Sequence, residues 1–217
     1  MKKRSGKAAA VKSRIRVPRK RVQNVDSGSA PSAVFLVGFM GAGKSSVGRA
    51  LGKQLNWVFE DLDDRIAHRA GRTIAEIFGN SGEAGFRRAE HEALVQLLGE
   101  LRRGGTRIVA LGGGAFVQKE NASLLEDTGV PTIYLDAAVD ELWRRCCKQA
   151  SAAGAERPLQ RSQKQFRELY QARRTSYSKA SATIQTGGRS VDDIAAEIVQ
   201  SLGLRRITIR REQGEVE

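Results

Sequence analysis

Ala33-Val-Phe-Leu-Val37 runs directly into Gly38-Phe-Met-Gly41-Ala-Gly43-Lys44-Ser45, and this stretch decides the fold. Its first five residues read as a buried strand, and the next eight satisfy G-x-x-x-x-G-K-[ST], with a helical pattern opening near Ser45. The glycines let backbone N–H groups converge on an anion with no Cβ in the way, and the N-terminus of the following helix adds a favourable dipole. Gly41, Ala42, Gly43, Lys44, Ser45 and Ser46 are therefore the nucleotide-binding candidates. Lys44 can reach the β- and γ-phosphates of ATP, and the Ser45 hydroxyl can ligate Mg²⁺.

Further apolar, β-rich runs follow at Trp57 to Glu60, Arg107 to Leu111, Thr132 to Leu135 and Ala182 to Thr186, alternating with helical patterns. Five strands with helical connections predict a three-layer α/β/α P-loop fold around a five-stranded parallel sheet. Thr73 with Glu76, and Ser190 with Asp193, fit helix capping boxes. Ala89 to Leu101 carries Leu94, Val95, Leu97, Leu98 and Leu101 on one predicted face, and Val191 to Leu202 carries Ile194, Ile198, Val199 and Leu202. Residues 149–163 turn to Ala, Ser, Gly, Arg and Gln and read as a mobile lid.

The formal charge of +13 resembles that of a nucleic-acid binder until its distribution is considered. Residues 1–25 hold ten basic side chains and no acid, which leaves 27 basic against 24 acidic residues in the rest. The charge belongs to a leader, residues 1–31, read as an inert extension, with contact to nucleic acid as the alternative. The predicted domain spans 32–203, and 204–217 is a charged, frayed tail. Cys146 and Cys147 are adjacent, so their side chains diverge around a helix and a disulfide between them is disfavoured, which suits a reducing cytoplasm. No stretch approaches the roughly 18 apolar residues of a membrane span. His68 and His91 read as surface groups, and Trp57 and Trp143 as packing residues.

Nothing in the phosphate loop distinguishes a kinase from another nucleotide hydrolase, so the second substrate must be read elsewhere. No N-K-x-D guanine-reading motif occurs. Asp61 and Asp63 stand at the carboxyl end of the second strand, where ligands of open α/β sheets bind. One can serve the Mg²⁺ shell and the other a substrate hydroxyl, and a solvated helix start explains them equally well. Gly112-Gly113-Gly114 ends the third strand and can offer amides to an anion, or simply form a turn. Arg157, within Glu156-Arg-Pro-Leu159, lies in the lid, and Arg173 precedes Tyr177 by one helical turn.

In this order the motifs resemble the shikimate kinases: G-x-M-G-A-G-K-S, D-x-D at Asp61 to Asp63, G-F-R at Gly85 to Arg87, the glycine triplet, R-P-L at Arg157, and R-x-x-x-Y at Arg173 to Tyr177. The likeness covers about residues 33–202. It implies transfer of the γ-phosphate of ATP to shikimate by a cytoplasmic monomer. Catalysis would fall to Lys44, Asp61, Asp63 and Arg157. Asp63 would bind the substrate hydroxyls and accept the proton, while Asp61 acts on Mg²⁺ through water. Arg87, Gly113 and Arg173 would hold the substrate carboxylate, Arg157 would close over the phosphates, and Arg189 would meet adenine. Thr175 replaces the proline of the family's R-x-P-x-Y, and Arg173 is favoured over Arg174. A gluconate kinase of similar build is the rival enzyme, and a sensor that keeps the fold without the chemistry is the rival outside enzymes.

Overall fold

The structure is a computed structural model and describes residues 31–153 and 162–207. Five strands form one parallel sheet: β1 (Ala33–Val37), β2 (Val58–Asp61), β3 (Arg107–Ala110), β4 (Thr132–Asp136) and β5 (Ala182–Gln185), in the order β2-β3-β1-β4-β5. All five residues of β1 are buried, as befits a central strand with neighbours on both sides, whereas Val58 on the edge strand β2 is 60% exposed. Chain order reverses on either side of β1, so the carboxyl ends of β1, β2 and β3 open onto one crevice.

Among the described residues seven α-helices lie between and after the strands: α1 (Lys44–Leu55), α2 (Leu62–Ala70), α3 (Ile74–Leu101), α4 (Lys119–Asp127), α5 (Val139–Ala153), α6 (Gln163–Tyr177) and α7 (Val191–Leu202). α1 packs against α7, and α2 against α3. α1 lies unusually close to β2, because a Cβ on Gly48 would stand 2.2 Å from the Phe59 ring. Both capping residues act as expected: Thr73 and Ser190 accept from the amides of Glu76 and Asp193.

Several expectations are adjusted. β2 begins at Val58 rather than Trp57, because the Trp57 amide donates to Gly52 O at 3.0 Å and closes the end of α1. Val95 is 44% exposed although it was grouped with the core face; Leu94, Leu97 and Leu98 are buried, and Val95 sits about 100° around the helix from Leu94. α3 extends far upstream of Ala89, with a break at Gly82 (φ 63°), so Arg87 is a helical residue. His91 is only partly exposed and its Nδ1 lies 2.7 Å from Asn121 Oδ1. The chain does not fray at residue 204: Leu204 is buried, and the Ile207 amide donates to Leu55 O at 3.0 Å. Arg157 and most of the expected lid fall outside the described residues.

Candidate active site

The phosphate loop is built as its motif requires. Gly41 takes φ +79°, and a Cβ there would meet Leu142 O at 2.6 Å and Cys146 Sγ at 2.9 Å, so only glycine fits. The first intrahelical bond of α1 runs from Val47 N to Gly43 O at 2.9 Å, and no side chain caps the helix. The amides of Gly43, Lys44, Ser45 and Ser46 thus form an uncapped N-terminus, a natural phosphate seat. The Ala42 amide is already engaged, donating to Phe39 O at 3.2 Å. Lys44 Nζ folds across the loop to Gly38 O and Phe39 O at 2.9 and 3.1 Å.

The helix-start reading of the acidic pair holds for Asp61, which also contacts the phosphate loop. Asp61 caps α2, its Oδ1 accepting from the Asp63 amide at 3.1 Å, and its Oδ2 accepts from Ser45 Oγ at 2.7 Å. That second contact joins β2 to α1 and brings together two hard oxygen ligands of the kind Mg²⁺ takes. Among the described residues no group of three or more His, Cys, Asp or Glu could hold a metal ion.

Asp63 points inward from the first turn of α2. Burial, then the negative charge of Asp61, pushes its carboxyl up to about 6, while Lys44 and Arg87 pull it back. Its Oδ1 is buried and accepts no hydrogen bond from the described residues.

The glycine triplet has a use that its sequence did not reveal. A Cβ on Gly112 would stand 2.5 Å from Asp63 Oδ1 and 2.7 Å from Glu90 Oε1, and one on Gly114 would stand 2.3 Å from Arg87 Nη1. The missing side chains make room for the charged groups of the site as well as freeing amides. Arg87 Nη1 donates to Glu90 Oε2 at 2.6 Å and Nη2 to Glu83 Oε1 at 3.3 Å. Glu90 is wholly buried, its Oε2 also accepts from Gln118 Nε2 at 2.7 Å, and burial raises its carboxyl to about 6 despite Arg87.

Arg173 approaches from α6, and its Nη1 donates to Gly113 O at 3.1 Å. It is 9% exposed, and no carboxylate among the described residues pairs with it, whereas Arg174 is exposed. The buried Glu90 carboxylate acts on Arg173 only at a distance and is itself hydrogen-bonded to Arg87, so the Arg173 guanidinium has room for a further anion. Arg189 is held within its own loop and α7, donating to Gln185 O and Asp193 O at 3.1 and 3.3 Å and pairing with Glu197.

Two participants escaped the sequence reading. Glu90 stands three residues after Arg87 on the same helix, a spacing that could have exposed it. Arg145 carried no such signal: from α5 it donates to Gly41 O at 3.4 Å and Thr186 O at 2.9 Å, linking the phosphate loop to the segment after β5.

A phosphate loop, an adjoining Ser–Asp oxygen pair, a buried carboxylate and a buried arginine on either side of a glycine triplet define a P-loop kinase for a small acidic acceptor. The sequence profile of the shikimate kinases matches residues 40–203. The shikimate kinase of Cereibacter sphaeroides is 38% identical over 175 residues, 79% of this chain and 83% of that protein. That of Geobacter metallireducens is 40% identical over 176 residues, 78% of this chain and 93% of the relative. Shikimate kinase from Acinetobacter baumannii, solved in complex with shikimate, superposes with a TM-score of 0.70 at 33% identity, covering 80% of this chain and 93% of that one. The chain belongs to the shikimate kinase family.

Proposed function

We propose that this enzyme transfers the γ-phosphate of ATP to the 3-hydroxyl of shikimate, giving shikimate 3-phosphate and ADP on the chorismate route to aromatic amino acids. One observation supports the choice of acceptor: among the described residues, Asp63 Oδ1 beside Gly112 has no hydrogen-bond partner, and the buried Arg173 beside Gly113 forms no ion pair. An acceptor that bears both a hydroxyl and a carboxylate answers both needs.

In this reading Lys44 leaves its loop carbonyls for the β- and γ-phosphates. Asp63 orients the acceptor hydroxyl and takes its proton as the oxygen bonds to phosphorus and the bridging oxygen departs with ADP. Arg87 and Arg173 grip the carboxylate beside Gly113, which fixes the ring and so the attacking oxygen. Ser45, and Asp61 through water, would hold Mg²⁺, which supplies charge neutralisation between the phosphates. Arg157 over the phosphates and Arg189 near adenine complete the assignment on family likeness alone. Cys146 and Cys147, which are not joined in a disulfide, fit a reducing cytoplasm, and the assignment of a monomer rests on family likeness alone.

The test is ADP release with shikimate, quinate, gluconate or no acceptor. A rate above the blank is expected with shikimate and not with gluconate; a shikimate rate equal to the blank removes the substrate assignment.

A further inference from the structure

Tyr177 belongs to the R-x-x-x-Y motif, yet the reaction as derived gives it no task. It lies one turn beyond Arg173 on α6, so the two side chains leave the same face of the helix. Both reach one atom: Gly113 O accepts from Arg173 Nη1 at 3.1 Å and also from the Tyr177 hydroxyl. The Tyr177 side chain is fully buried and stacks on Tyr134, with ring centroids 5.3 Å apart and planes at 26°. The Tyr134 hydroxyl in turn donates to Asp136 Oδ1 at 2.8 Å, which ties the stack to the end of β4.

We propose that Tyr177 is a positioning residue for the acceptor carboxylate, acting through Gly113 and Arg173. A buried carbonyl oxygen has two lone pairs to satisfy, and the phenol takes one of them. Arg173 commits Nη1 to Gly113 and also meets the Tyr177 phenol, so carbonyl and phenol together fix the plane in which the guanidinium can present its other N–H groups to a planar carboxylate. Without the phenol, the guanidinium must turn further onto the carbonyl or the peptide must rotate, and either change spoils the grip. Burial pushes the Tyr177 phenol up to about 12, so it remains a donor throughout the working range. The inference rests on the reading above, in which Arg173 meets the substrate carboxylate.

The experiment compares the full chain with Tyr177→Phe, which keeps the ring and its stack but removes the donor. The shikimate KM should rise about fivefold, the effect of one neutral hydrogen bond, with kcat and the ATP KM within twofold. In an Arg173→Ala background the same change should add nothing to the shikimate KM, because the route through Arg173 is gone. Calorimetric titration of shikimate should show the same pattern in Kd. An unchanged shikimate KM in Tyr177→Phe overturns the proposal. So does an equal rise in both KM values, which is the mark of a merely structural tyrosine, and so does full additivity with Arg173→Ala. If the unmodified enzyme neither binds nor phosphorylates shikimate, the substrate reading fails first and the inference falls with it.

Discussion

Asp63 Oδ1 and Glu90 Oε1 approach Gly112 to within 2.5 and 2.7 Å of where its Cβ would stand, and neither oxygen has a hydrogen-bond partner among the described residues. Two buried carboxylates can share this space only because residue 112 has no side chain. Gly112→Ala should therefore displace Asp63, the proposed base, while the phosphate loop, whose Gly38 and Met40 adjoin Gly113 rather than Gly112, keeps its shape. We expect kcat/KM for shikimate to fall at least about 100-fold, the scale of a misplaced reacting group, with nucleotide affinity little changed. Steady-state kinetics beside calorimetric titration of ATP would separate these, and a loss of nucleotide binding of similar size would contradict the localised clash.

The raised Asp63 carboxyl makes opposite demands on activity and stability. As a base it must be ionised, so kcat/KM should decline about tenfold per pH unit once the pH drops below about 6. For stability, the folded state holds the proton more tightly than the unfolded chain between 3.8 and about 6. Stability therefore falls as pH rises through that window, and the ionised group burdens the fold at neutral pH. Asp63→Asn should abolish turnover yet raise Tm at pH 7.5 by roughly 3 to 6 °C, within a ceiling of roughly 3 kcal/mol. The gain should shrink at pH 5; thermal scans at both pH values decide it.

Much of this was legible in sequence because it is local. The phosphate loop, the strand before it and the helix after it are contiguous, and five apolar runs in a helical alternation leave few topologies open. Asp61 is a cap and a Ser45 partner at once, and sequence could list both roles without joining them, since the contact spans β2 and α1. The glycine triplet read as an amide nest or a turn because the groups that need its empty space, Asp63, Glu90 and Arg87, come from α2 and α3. Arg145 was invisible for the same reason: its partners Gly41 and Thr186 are distant in sequence from it and from each other.

The Ser45–Asp61 contact predicts how the site depends on metal. Ser45→Ala removes one hard ligand and leaves Asp61 Oδ2 without its 2.7 Å donor. The Mg²⁺ concentration for half-maximal rate should rise about tenfold or more, and chelation should stop turnover in both proteins. A Mg²⁺ titration at saturating ATP and shikimate measures this, and an unchanged half-saturation point would remove Ser45 from the metal shell.

Neighbouring arginines offer an internal control for the acceptor site. Arg173 is buried against Gly113 with no carboxylate beside it among the described residues, while Arg174 points to solvent from the next position on α6. Thr175, where the family carries proline, leaves the helix able to present either residue by sequence alone, and burial makes the choice. Arg173→Ala should cost about 100-fold or more in kcat/KM for shikimate, as expected for a lost charge-assisted bidentate contact, with the ATP KM nearly unchanged. Arg174→Ala should stay within about twofold of the unmodified enzyme, since an exposed side chain away from the site contributes little. Because a guanidinium donates two parallel N–H groups and an ammonium cannot, Arg173→Lys should recover only a small part of the loss. Full recovery by lysine would mean that charge alone holds the acceptor and that the planar fit to a carboxylate does not matter.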